Sequence, residues 1–156
     1  MVYFLYDTLG LLFFFILLLP YYIYGMLTEK GFAARFRQSI GLIKQAEINN
    51  VANTNCIWIH GADVGEIVAA SPLVKEIKKI MPERKVLVSA FTVGGYNMAK
   101  QILPEADAII YFPWDLVWVA ESVVRRVHPG IFMPVETELW PNFLGAIRER
   151  DIPVMM

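Results

Sequence analysis

The stretch CIWIHGADVGEIVAASPLVKEIKKI, residues 56–80, decides the fold. Its first five residues form a short apolar run of the kind that fills a buried strand. Small or polar residues follow, and from Val64 onward the apolar positions recur with a helical period. Outward from this strand, turn and helix, the runs 85–89, 108–112 and 130–135 repeat the strand signal. Segments with helical periodicity separate them, and helices are expected over 64–80, 95–103, 116–127 and 141–150. Ile152-Pro153-Val154 reads as the start of a fifth strand. Alternation of this kind implies an α/β, Rossmann-like parallel sheet with right-handed crossovers and helices on both faces. Pro72 lies inside the first helix, where its missing N–H is expected to kink or divide it.

The N-terminal third differs in character. Hydrophobic residues make up 56% of the 156-residue chain, above the roughly 45–50% of an average soluble protein, and the mean hydropathy is +0.46. The excess sits between Leu9 and Leu27, nineteen residues without a charge, against the about 20 that a spanning helix requires. Tyr3, Tyr6, Tyr21, Tyr22 and Tyr24 lie towards its two ends, where amphipathic rings favour the headgroup layer. No Lys or Arg precedes the run, whereas Lys30, Arg35, Arg37 and Lys44 follow it. The positive-inside rule then places the remainder of the chain in the cytoplasm. Residues 1–27 are thus expected to be a membrane-anchor helix, and the lack of a basic leader or cleavage pattern disfavours a signal peptide. Pro20 leaves open a broken helix lying in one leaflet, or a buried helix of a soluble fold.

Residues 28–55 read as a basic amphipathic linker, with Phe32, Phe36, Ile40 and Ile43 on one helical stripe among Arg35, Arg37 and Lys44. The asparagine-rich break at 49–55 then precedes a globular domain over 56–156. A net charge of −1 excludes an ordinary phosphate-tracking nucleic-acid binder. The single cysteine, Cys56, has no internal disulfide partner and reads as a buried, reduced thiol. With only His60 and His128 present, a histidine-rich metal cluster is excluded.

Ligands of open parallel sheets bind beyond the carboxyl ends of the strands, which selects four loops. They carry Gly61 to Glu66, Ala90 to Gly95, Pro113-Trp114-Asp115, and Glu136-Thr137-Glu138. No G-x-G-x-x-G or Walker A pattern is present, so the phosphate cradle of a dinucleotide or P-loop protein is missing. Asp63 and Glu66 have the spacing of a helix N-cap and its capping-box partner. Glu66 is equally placed to act as a general base, with Gly65 leaving room for a sugar. Glu136 and Glu138, two apart in an extended segment, are able to face one ligand, or Thr137 or Glu138 simply caps the next helix. Thr92, Gly94 and Gly95 form a turn at a helix N-terminus suited to an anion, or serve only as a tight turn.

The strings HGADVGE (60–66) and ETELWPN (136–142) resemble the two motifs of the Kdo (3-deoxy-manno-octulosonate) transferases, approximately H-x-x-S-V-G-E and E-T-E-L-W-P-N. Between them AASPLVK (69–75) and FPWDL (112–116) fall in the expected order, and the apolar start also matches. Here Asp63 replaces the family's Ser, and Thr92-Val93-Gly94-Gly95 replaces its T-P-T-G turn. The resemblance implies the N-terminal, acceptor-binding half of a two-domain GT-B enzyme at the bacterial inner membrane, facing the cytoplasm. That enzyme is inverting and metal-independent, needs no cofactor, and moves Kdo from CMP-Kdo to the lipid A precursor. On this resemblance Glu66 matches the general base and Glu136 the carboxylate that stabilises the transition state. Asp63, Gly65, Thr92, Gly94 and Glu138 then lie on the acceptor side. The C-terminal donor-binding domain is expected to be absent from these 156 residues, leaving the chain alone inactive. Two alternatives stand beside this reading: a non-catalytic membrane-tethered binding module, and another lipid-directed GT-B transferase.

Overall fold

The computed structural model describes residues 8–10, 12–13, 16–17, 19–28, 32–136 and 140–156. Its helices are α1 (Leu19–Thr28), α2 (Phe32–Ser39), α3 (Gln45–Ile48), α4 (Val64–Ile80), α5 (Val93–Ile102), α6 (Val117–Val127) and α7 (Pro141–Arg148). Its strands are β1 (Ile57–His60), β2 (Val86–Ala90), β3 (Ala108–Tyr111) and β4 (Ile131–Pro134). All pair in parallel, in the order β3-β2-β1-β4. This is the expected Rossmann-like layer structure.

Alternation along the strands sends their side chains to two separate cores. Ile57 and Ile59 of β1 join Val86 and Val88 of β2 under α4 and α5, which contribute Ile67, Val74, Ala99 and Leu103. Trp58 lies on the opposite face with Leu87, Phe132 and the α6 and α7 residues Val119, Val123, Phe143 and Ile147. The Trp58 ring is fully buried and meets Phe143, Phe132 and Phe112 edge-on at 5.1, 5.8 and 6.3 Å. Its indole N–H donates to Ser89 Oγ at 2.8 Å, so the ring is buried without an orphaned donor. Cys56 belongs to the same core, and burial, the largest influence, pushes its thiol up to about 12.

Three expectations need correction. α4 runs unbroken from Val64 to Ile80 with Pro72 inside, so packing on the sheet outweighs the one backbone bond lost there. The fifth strand amounts to a single parallel bridge, Phe132 to Val154, and Pro153 has no amide hydrogen with which to extend it. The stretch taken for a linker packs into the domain: Ile43, Ile48 and Val51 enter the Trp58 core. Gln38 of α2 accepts the Tyr111 amide at 2.7 Å on the free edge of β3. The asparagines before β1 supply left-handed backbone, with φ of 56° at Asn53 and 52° at Asn55, a conformation Asn tolerates well.

The anchor helix expected across Leu9–Leu27 falls partly on residues outside those described. No helix among the described residues is long and apolar enough to cross a membrane. α1, with 10 residues, extends about 15 Å.

At the amino edge of the sheet Asp107 ties three elements together. Its carboxylate accepts from Lys78 and Lys85 at 2.9 Å each and from the Val86 amide at 2.9 Å. Burial alone would raise its pKa, but hydrogen bonds from Lys85, Lys78 and the Val86 N–H outweigh it and hold the carboxyl below its ordinary range. A carboxylate with a depressed folded pKa stabilises the fold above its unfolded value, about 3.9 for Asp, and loses that contribution as pH falls through the folded value. Asp107→Asn is therefore expected to cost about 1–3 kcal/mol at neutral pH. It should also flatten the fall in stability below about pH 4, as measured by urea unfolding over a pH series.

Candidate active site

From β1 the chain moves outward to β2 and β3, then returns past β1 to form β4 on its other side. The direction of winding therefore reverses between β1 and β4, and the carboxyl end of such a switch point is where open α/β sheets bind ligands. His60 pairs with Pro134 at the ends of the two strands, and the Val135 amide donates to the His60 carbonyl at 2.9 Å. Glu66 follows one strand and Glu136 the other.

Local rules place Glu66. Asp63 has extended backbone and caps α4, its Oδ1 accepting from the Gly65 and Glu66 amides at 2.8 and 3.3 Å. Glu66 Oε2 reaches back to accept the Ala62 amide at 2.7 Å, so the half-buried side chain is folded over the β1 loop. The Asp63 cap of this reading is what the geometry displays, whereas Glu66 bonds the amide one residue before the cap. It leaves a base role compatible, because a carboxylate has two oxygens and about four acceptor sites. Gly61 makes this approach possible: a Cβ there would come within 3.0 Å of Glu66 Cβ. Gly65 is exposed, with only Asp63 Oδ1 near its missing side chain.

The β2 loop is joined to the β1 loop by the Phe91 and Thr92 amides, which donate to the Ala62 carbonyl at 3.0 and 2.9 Å. Thr92 caps α5 by accepting the Gly95 amide at 3.0 Å, and Gly94 is exposed beside Val64. Glu136 is exposed just beyond β4. Thr137 and Glu138 lie outside the described residues. His60 is a packed residue: it is 1% exposed, stacks on Phe112 at 3.9 Å, and places Nδ1 3.0 Å from Ser89 Oγ. A groove of about 340 Å³ lined by Pro134, Leu144, Ile147, Ile152 and Val154 runs along the outer flank of β4 and shares none of these candidates.

Three features escaped sequence reasoning. Asp115 precedes α6, where spacing alone would make it the cap of that helix. Instead its oxygens accept the Phe143 and Asn142 amides of α7 at 2.7 and 3.2 Å, while Asn142 Nδ2 donates to the Asp115 carbonyl at 2.7 Å. Asp115 thus caps α7 from another loop, and Pro141 at the first helical turn has no N–H that needs an acceptor, while the capping alternative at Thr137 or Glu138 falls outside the described residues. Arg35, 8% exposed, lies over the rings of Phe32 and Phe91 at 5.3 and 5.5 Å. Phe91 in turn stacks on Trp140 at 5.6 Å. Tyr96 and Tyr111 stack at 4.1 Å, and burial, followed by the neighbouring Tyr96, pushes the Tyr111 hydroxyl up to about 12.

Residues 34–156 match the family pattern of the 3-deoxy-D-manno-octulosonic-acid transferases (kdotransferases). The chain belongs to this family. A 3-deoxy-D-manno-octulosonic acid transferase of Haemophilus influenzae is 30% identical over 85% of the chain and 31% of its own length. One of Chlamydophila psittaci is 30% identical over 90% of the chain and 32% of its own length. A bifunctional glycosyltransferase/methyltransferase of Fusobacterium nucleatum is 30% identical over 70% of the chain and 17% of its own length. The chain spans about a third or less of the curated relatives it matches. Both acidic motifs of this Kdo transferase family member, 60–66 and 136–142, fall inside the matched region.

The clamp by Asp115 fixes where the acidic β4 loop re-enters helix. Asp115→Ala is expected to destabilise the domain by about 1–2 kcal/mol, the usual cost of a lost cap. It should also speed hydrogen exchange at the Asn142 and Phe143 amides, with little change at the β1 amides.

Proposed function

We propose that this segment is the acceptor-binding half of a glycosyltransferase that moves Kdo from CMP-Kdo to a hydroxyl of the lipid A precursor. The observation that carries the reading is that Glu66 and Glu136 follow the carboxyl ends of two adjoining strands, β1 and β4, at the switch point of the sheet, in a chain of the Kdo transferase family. The apolar N-terminal segment supports attachment to the bacterial inner membrane with the domain on the cytoplasmic side. The donor nucleotide sugar is held by a second domain, in keeping with the greater length of the relatives.

In the proposed mechanism Glu66 takes the proton from the acceptor hydroxyl as that oxygen attacks the anomeric carbon of Kdo. The cytidine monophosphate leaves with the electron pair of the bond that breaks. Its bond to Ala62 N–H holds Glu66 in one orientation, which favours proton transfer through fixed geometry. Glu136 faces the positive charge that develops on the sugar as the leaving group departs, and a carboxylate preset there lowers the barrier electrostatically. Asp63 and Thr92 keep the N-termini of α4 and α5 in place beside the acceptor, with the exposed Gly65 and Gly94 leaving its approach open. No metal or further cofactor enters this scheme.

The test is a chimera in which residues 1–156 replace the corresponding part of the Haemophilus influenzae relative, assayed for transfer of labelled Kdo from CMP-Kdo. Glu66→Gln should lower turnover by about 10²-fold or more, the usual share of general base catalysis, with an unchanged unfolding temperature. Near-normal turnover in that variant would exclude Glu66 as the base.

A further inference from the structure

A chain of polar groups crosses the aromatic core and ends at the candidate site. The Trp58 indole N–H donates to Ser89 Oγ at 2.8 Å, and His60 Nδ1 lies 3.0 Å from the same oxygen and 3.1 Å from the Ser89 carbonyl oxygen. Trp58 and Ser89 are 0% exposed and His60 is 1% exposed. Burying polar groups is costly unless they are hydrogen-bonded, and a hydrocarbon in place of the imidazole would fill the core without that requirement. What the imidazole adds is direction. A buried hydrogen-bond network specifies one arrangement, whereas apolar packing of similar volume tolerates several.

His60 also ties the strands together at this edge. It ends β1, and its Cα partners are Ser89 of β2 and Pro134 of β4. Its ring stacks on Phe112, the residue after β3, at 3.9 Å with 18° between the planes. The main chain repeats these ties: the Val135 amide donates to the His60 carbonyl at 2.9 Å, and the Gly61 amide donates to the Ser89 carbonyl at 3.1 Å. Phe112 extends the connection towards α7, since its ring meets that of Trp140 at 5.7 Å.

Both carboxylates hang from this junction. Glu66 is oriented by the Ala62 amide, which stands two residues after His60. Glu136 follows Val135, whose amide is bonded to the His60 carbonyl. A displacement of the His60 backbone therefore moves the donor that orients one carboxylate and the strand end that carries the other.

We propose that His60 is a positioning residue: its ring, held between Ser89 and Phe112, fixes the end of β1 and with it the separation of Glu66 and Glu136. This rests on the glycosyl-transfer reading above and adds a residue that touches neither substrate. A reaction that needs one carboxylate at the attacking hydroxyl and another at the developing charge is sensitive to that separation, because a misplacement of about 1 Å costs about 10²-fold in rate.

The experiment uses the chimera of residues 1–156 with the remainder of the Haemophilus influenzae relative. His60→Asn keeps an amide within reach of Ser89 and removes the stack, whereas His60→Phe keeps the stack and removes the bond. Each should lower kcat roughly ten-fold, with KM for CMP-Kdo and for the acceptor unchanged within about two-fold. Ser89→Ala leaves the imidazole in place without its hydroxyl partner. It should lower kcat in the same direction, and it carries the test if the histidine variants fail to fold. In a Glu66→Gln background the same substitutions should lower turnover by less than about two-fold, because groups that act as a unit are not additive. A merely structural role would instead lower it by the same factor in both backgrounds, and that result would overturn the proposal. So would an unchanged kcat in all three variants of an active chimera, with the Glu66 assignment left standing. A loss confined to KM would make His60 a substrate-binding residue and end the positioning role. A chimera without transfer activity, or one indifferent to Glu66→Gln, would remove the underlying reading and this role together.

Discussion

The hydrogen bonds between β1 and β4 are what the candidate site depends on. Ile57 to His60 pair with Ile131 to Pro134, strands separated by two complete strand–helix units. This pairing alone brings the turn that leads to Glu66 beside the turn that leads to Glu136. Had β4 added beyond β3, the two carboxylates would stand at opposite sides of the sheet, since each intervening strand adds about 4.8 Å. The pairing is held by burial on both faces. Trp58 and Phe132 pack on one side, and Ile57 and Ile59 on the other. Removal of a buried aromatic such as Trp58 typically costs about 3–5 kcal/mol.

The loops above the sheet are held by polar groups used in pairs. Asp63 and Glu66 satisfy amides at the start of α4, Thr92 does so for α5, and Asp115 serves α7 from a different loop. Asp63, Thr92 and Asp115 each remove an orphaned helix donor, and Glu66 ties the β1 loop to the start of α4. A carboxylate already committed to one backbone amide is also an oriented one. The observed bond to Ala62 N–H and the proposed acid–base role are therefore compatible in Glu66. Phe91 of the β2 loop stacks on Trp140 at the start of α7, with Arg35 lying over the Phe91 ring.

Strand and helix positions were legible to within two residues for most elements, because they depend on near neighbours. The run 64–80 read as a helix is α4 as observed, and β1 begins one residue later than its apolar run. The D-x-x-E signal before α4 was legible for the same reason. Pro72 does not divide α4, because its cost is local whereas the compensating burial of Val74 and Ile77 is tertiary. The amphipathic stripe of 28–50 was visible, but its destination was not. Phe32 and Ile43 found protein surface, and Gln38 found the open edge of β3. Asp115 was unreadable in principle, since its partners lie 27 and 28 positions along the chain.

The sequence by itself determined the α/β alternation, the capped helix starts and the two acidic motifs, all of which arise from side chains acting within a turn or a strand. Only the tertiary structure decided that β4 lies against β1, that Asp115 closes α7, and that α2 joins the apolar N-terminus to the carboxyl edge. Those outcomes turn on which buried surfaces fit together across long separations. No local pattern encodes that choice, because the same strand signal is compatible with any place in the sheet.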